Sequence, residues 1–134
     1  MNSGRAVVVL DFYDWLPSYG ENGVTIRSDG SNWTVEIAYE EESSLKLLKR
    51  ELLFQGVCCF YCSAFPGPPM LGIRLQAGDN LGALLEYPDS DAATAWKDHF
   101  GGERDVRHYV LWFLSENLTI QAFARDVVLK EPAE

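Results

Sequence analysis

Apolar and polar positions along this chain follow two periods, and the change from one to the other divides it into elements. Arg5 to Tyr13 carries Val7, Val8, Val9, Leu10, Phe12 and Tyr13 with few breaks. Such a β-branched and aromatic run predicts a buried strand, and its continuity predicts a central one. Pro17, Gly20 and Gly23 then mark a loop. After it, Val24 to Arg27 and Trp33 to Tyr39 flank Ser28-Asp29-Gly30-Ser31, a turn cluster that predicts a hairpin. In the second arm Trp33, Val35, Ile37 and Tyr39 alternate with Thr34, Glu36, Ala38 and Glu40, giving one apolar and one mostly polar face.

Residues 43 to 55 fit two patterns. Leu45, Leu48, Leu52 and Leu53 suit a helix, while Leu48, Leu52 and Phe54 suit a strand interrupted by Arg50. The context favours a strand, because Val57 to Phe65 is strand-like and Gly56 fits a bulge or kink, so the two segments could form one long bent strand. Pro66-Gly67-Pro68-Pro69 ends it. Met70 to Leu75 is a short candidate strand and Leu81 to Tyr87 a stronger one. A helix is expected over about residues 90–100, capped by Asp89 or Ser90, closed by Gly101 and Gly102, and laying Ala92, Ala95, Trp96, His99 and Phe100 on the sheet. Val106 to Leu114 and Leu118 to Leu129 complete the pattern as two strands joined through Ser115-Glu116-Asn117, with Asn117 suited to the left-handed conformation. The expectation is an α+β fold, mainly antiparallel sheet with one helix packed on it, in a single domain spanning 1–134.

Composition narrows the possible functions. With 7 Phe, 6 Tyr and 4 Trp the chain is too aromatic for a disordered tail. Its charge of −9, from 11 basic and 20 acidic side chains, disfavours nucleic acid, since phosphate binding depends on Lys and Arg. The run Ala6 to Leu10 is too short for a signal-peptide core or a membrane span, so a cytoplasmic protein with no membrane contact is expected. Without export, Asn32-Trp33-Thr34 and Asn117-Leu118-Thr119 are chance sequons. Cys58, Cys59 and Cys62 crowd within one strand-like run, which fits buried reduced thiols better than a disulfide framework.

The familiar chemical constellations are incomplete. Cys59 and Cys62 have the spacing of half a zinc site, but alternation along a strand sends them to opposite faces, and His99 and His108 stand nine apart. His99 suits the negative end of a helix, and His108 begins a strand without a nucleophile elbow. Gly101-Gly102 follows a helix instead of preceding one, so it forms a cap and not a phosphate loop. No catalytic residue, metal or cofactor is therefore assigned. Carboxylates are abundant in Asp11 and Asp14, in Glu40-Glu41-Glu42, and in Asp79, Glu86, Asp89 and Asp91. They are also segregated: residues 1–42 hold 8 acidic and 2 basic side chains, 43–78 hold 1 and 4, and 79–103 hold 6 and 1. Clustered carboxylates add their fields and draw in a basic partner. In the first block Phe12, Tyr13, Trp15 and Tyr19 lie among Asp11, Asp14 and Glu21, a mixture suited to a cationic protein surface.

The segment Leu84-Leu85-Glu86-Tyr87-Pro88-Asp89-Ser90 through Trp96, with the terminal stretch from His108-Tyr109 to Ala124-Arg125-Asp126-Val127, resembles segments of small bacterial proteins. In size and acidity the chain resembles the immunity proteins with which bacteria neutralise toxins passed between competing cells. That resemblance implies a non-enzymatic inhibitor occluding the active site of a basic toxin. Charge and residue type offer Asp11, Asp14, Trp15, Tyr19, Glu21, Glu86, Asp89 and Asp91 as the binding residues. The alternative is a small-molecule-binding α+β domain with its ligand on a concave sheet face.

Overall fold

The structure, a computed structural model, describes residues 2–17, 20–67 and 81–134. The candidate strand Met70 to Leu75, Asp79 and the site candidate Tyr19 lie outside the described residues. In chain order the elements are β1 (Val7–Asp11), β2 (Glu21–Asp29), β3 (Asn32–Glu40), β4 (Leu47–Gln55), β5 (Cys59–Ser63), β6 (Ala83–Glu86), α1 (Asp91–His99), β7 (Arg107–Phe113), β8 (Leu118–Ala124) and β9 (Asp126–Leu129). All the strand pairs are antiparallel, in two sheets ordered β1-β6-β7-β8-β5 and β2-β3-β4-β9. The fold is α+β, with one α-helix among the described residues.

The hairpin forms around a shorter loop than the expected turn cluster. Asp29 pairs with Asn32, leaving Gly30 and Ser31 as the turn, and Gly30 takes the positive φ of +62° that such a tight turn requires. Trp33, Val35, Ile37 and Tyr39 all turn inward, as their alternation predicts. Of the ambiguous residues 43–55, 47–55 are a strand, as the context favours, and 43–46 belong to the preceding loop.

Two expected single strands instead divide between the sheets. β4 and β5 do not form one bent strand: the chain leaves the second sheet at Gln55 and enters the first at Cys59. Leu118 to Leu129 breaks in the same way at Arg125, where β8 becomes β9. The two crossings lie together, with Arg125 N–H donating to Gln55 O at 2.9 Å and Cys58 N–H to Phe123 O at 2.9 Å. Gly56 permits this corner: its φ is +63°, and a Cβ there would stand 3.1 Å from the Cβ of Arg125.

Between the sheets lies the main core, with Val35, Ile37, Leu52 and Phe54 facing Tyr109, Leu111, Phe113, Ile120 and Ala122. Its aromatics interlock across the gap, Trp33 stacking on Phe60 at 4.5 Å and Phe54 meeting Tyr109 at 5.8 Å. The opposite face of the first sheet is also covered. Ala92 and Ala93 of α1 pack with Val106 and Phe123, while Ala83, Leu85, Val110 and Trp112 form a third cluster.

α1 begins where Ser90 caps it, the hydroxyl oxygen accepting from Ala93 N–H at 3.2 Å. Its buried face differs from the expected one by a partial rotation: Ala92 and Ala93 are buried, Ala95 and His99 are exposed, and Trp96 is half-buried against Phe100. The cap is the reason, because Ser90 is also bonded to the sheet and so fixes which side of the first turn faces inward.

The run Arg5 to Tyr13 departs furthest from expectation. Among the described residues β1 is the last strand of its sheet and pairs only with β6, and Val7, Val8 and Val9 are 53%, 51% and 38% exposed. The strand stops at Asp11 because that carboxylate accepts from Tyr13 N–H at 3.0 Å and starts a 3-10 turn, Phe12–Asp14, which drives Phe12 and Leu16 into the core. The apolar run thus serves two purposes, an edge strand at its start and a core plug at its end.

Candidate functional site

The 3-10 turn after β1 and the loop after β3 converge at one end of the sandwich. Between them is a cleft of about 460 Å³ lined by Tyr13, Asp14, Trp15, Leu16, Pro17, Glu41, Glu42 and Ser43. The indole of Trp15 is held from three sides: Tyr39 at 5.1 Å, Phe12 at 6.0 Å, and the Arg50 guanidinium 5.0 Å over its ring. Arg50 is fixed in turn, its Nε donating to Lys130 O at 2.8 Å. Burial raises the Tyr39 hydroxyl pKa against the opposing pull of Arg50. Trp15 Nε1 is buried without a hydrogen-bond partner among the described residues.

The facing loop is equally ordered. Glu41 accepts from the hydroxyls of Ser43 (3.2 Å) and Ser44 (2.8 Å), and its backbone exchanges bonds with Leu45 and Lys46. The loop closes through Leu45 at φ +57°, a conformation uncommon for a side chain of that kind, and presents Leu45 and Leu47 to solvent at 70% and 68% exposure. Asp14 and Glu42 are exposed, so the cleft combines an aromatic floor with carboxylates on two walls. The acids of such an arrangement can pair with a cationic side chain, while the Trp15 ring already carries the Arg50 guanidinium.

The expected binding residues do not form one surface. Asp14 and Trp15 line the cleft, and Asp11 precedes them at the end of β1. Glu21 is 8% exposed, with its Oε1 accepting from the Ser115 hydroxyl and from Ser115 N–H at 3.3 Å, so it ties β2 to the β7–β8 connection instead of facing a partner. The second acidic block lies elsewhere. Asp11 pairs with Ala83 at one end of β6 and Val7 with Glu86 at the other, so about 10 Å of strand separates the two ends. Asp91 accepts from Asn2 N–H at 2.9 Å and anchors the N-terminal segment, and Asp89 lies against Gly4.

The sequence reading placed Tyr13 in the acidic and aromatic mixture but missed Glu41 and Glu42 as parts of this cleft, and Arg50 over the ring of Trp15. Glu41 and Glu42 were visible as an acidic run, but only the β3–β4 pairing brings them to Trp15. The basic stretch has a separate use. On the outer face of the second sheet Glu36 lies between Arg27 and Lys49, and Glu51 between Arg27 and Lys130, at 2.5 to 4.0 Å. Arg27 holds the Glu51 carboxyl below its usual range. That face is therefore mixed in sign, and the acidic excess remains at the cleft and beside α1.

Sequence reasoning also missed a buried polar chain. Ser90, His108 and Gln121 are 1%, 0% and 1% exposed, with Ser90 Oγ 2.7 Å from His108 Nδ1 and His108 Nε2 2.7 Å from Gln121 Oε1. Because an amide oxygen only accepts, Nε2 carries the proton and donates, leaving Nδ1 to accept from the Ser90 hydroxyl. Burial disfavours the charged imidazole and lowers its pKa. Its ring stacks on Phe123 at 4.3 Å. The order Ser, His, Gln resembles a nucleophile and its base, but the hydroxyl caps α1 inside the protein, so the chain locks the helix to the sheet.

The cysteines are free thiols, and Cys62 is exposed while Cys58 and Cys59 are half-buried. The expectation of full burial fails because β5 is the other edge strand of its sheet. Burial raises the thiol pKa of Cys58 and Cys62. Among the described residues no group of three His, Cys, Asp or Glu side chains is placed to hold a metal, and no helix is long and apolar enough to cross a membrane. Compared with protein-family models, with curated proteins and with solved structures, the chain matches none.

Proposed function

We propose that the chain is a non-enzymatic, protein-binding inhibitor, an immunity protein that neutralises a basic bacterial toxin by occluding its active site. The observation that supports this reading is the acidic cleft, lined by Trp15 together with Asp14, Glu41 and Glu42, with Tyr39 packed against the indole. A preformed aromatic floor reduces the ordering cost of binding, and carboxylates on its rim steer a cationic partner toward it. The exposed Leu45 and Leu47 border the same loop and add apolar area to that surface.

The test starts with a basic protein from the source organism that this chain inhibits at one-to-one stoichiometry. Replacing Asp14 by Asn and Glu42 by Gln removes charge at the cleft and leaves the Asp11 cap of the turn intact. Association at low salt should slow by about tenfold or more, with thermal stability within about 0.5 kcal/mol of the parent. Raising salt should slow the parent in the same way. Glu86→Gln, away from the cleft, should leave the rate within about twofold. An acidic partner, or a rate indifferent to both salt and the amides, would overturn the reading.

A further inference from the structure

We propose that β1 is the seat of a homodimer, in which two copies pair their β1 strands antiparallel about a two-fold axis through Val8 and join two five-stranded sheets into one. The side of β1 away from β6 carries no strand among the described residues. A row of unpaired backbone groups lined by apolar side chains is a template for another strand. Here Val7, Val8 and Val9 are exposed consecutively, so both faces of the strand are open to solvent. Val8 pairs with Leu85 and Leu10 with Leu84, so Val9 is the extra residue of a bulge between those pairs and adds its side chain to the exposed apolar strip.

A second copy fits this edge because the segment is complementary to itself. Read antiparallel about Val8, the sequence Arg5-Ala6-Val7-Val8-Val9-Leu10-Asp11 sets Val8 against Val8, Val7 against Val9, Ala6 against Leu10, and Arg5 against Asp11. The two-fold repeats each pair, so two Arg–Asp contacts close the ends of an apolar centre. A one-residue slip removes both charge pairs, so the ends fix the register.

Long-range electrostatics then act in the direction opposite to the proposed toxin complex. Two chains of charge −9 repel each other, and salt screens that repulsion more effectively than it screens the short Arg5–Asp11 pairs. Dimerisation should tighten as salt rises, where binding of a basic partner should weaken. The two proposals can therefore fail separately.

Sedimentation of the full chain over a range of concentrations is the test. The expected result is a reversible species of twice 15.1 kDa, with the β1 amides gaining protection from hydrogen exchange as concentration rises. Val8→Lys places two like charges on the axis and should weaken association by about tenfold or more. Val128→Lys, at a comparably exposed valine on β9, should leave it unchanged. Arg5→Glu and Asp11→Lys should each weaken self-association, and mixing the two variants should restore a heterodimer, since both charge pairs then match again. A monomer at all concentrations with concentration-independent β1 exchange would overturn the proposal, as would β1 variants that weaken only the binding of a different protein.

Discussion

β1 and β7 read alike in the sequence and occupy opposite environments. Val7 to Leu10 and Tyr109 to Phe113 are both unbroken apolar runs, yet the first is the outermost strand of its sheet and the second has a strand on each side. On β7, Tyr109, Leu111 and Phe113 enter the core between the sheets while His108, Val110 and Trp112 enter the layer on the other face. An unbroken apolar run records that a strand tolerates no water on either face. It does not record whether the covering comes from the same chain, and in β1 we assign it to a second copy.

Stability measurements can sharpen this contrast. Leu111→Ala empties a fully buried site between the sheets and should cost about 2–5 kcal/mol in denaturant unfolding. Replacing His108 comes next: His108→Ala leaves the Ser90 hydroxyl and the Gln121 amide without their ring partner, at about 1–3 kcal/mol for each unsatisfied group. The same histidine gives a pH signature. Its pKa is depressed in the folded protein, so below about pH 6.5 the unfolded chain takes up a proton that the folded one refuses. Stability should be full above that pH and fall below it, and His108→Ala should flatten that part of the profile. The smallest effect belongs to β1, where Val7→Thr in dilute solution should change stability by no more than about 0.5 kcal/mol. A large loss there would mean that the edge is already covered within one chain.

Local chemistry was legible where the signal was local. The hairpin turn at Gly30, the alternation of β3, the cap of α1 and the left-handed Asn117 (φ 49°) each depend on a few neighbouring residues, and each is present. What was missed depends on distant segments meeting. Gly56 looked like a kink within one strand because nothing nearby shows that Arg125, about seventy positions later, turns the same corner. The buried His108 looked like an ordinary strand histidine because its partners come from a helix cap and a neighbouring strand. The cleft was half legible: the sequence supplied Asp14 and Trp15, and the sheet supplied Glu41, Glu42 and Arg50.

The corner at Gly56 and Arg125 also bears on how the chain reaches this structure. Gln55 pairs with Asp126 and Cys59 with Phe123, so both sheets depend on closing the same long loop. Before that closure the second sheet is a β2-β3-β4 meander without its last strand, and β7-β8 is a hairpin without β5. Closing a long loop costs entropy before any contact repays it, which places such a topology among the slower folders. Once the corner forms, β5 and β9 dock together, and neither sheet can shed its outer strand without straining the other. Separation of the two layers is here opposed by two backbone crossings, so the layers should assemble and come apart as one cooperative unit.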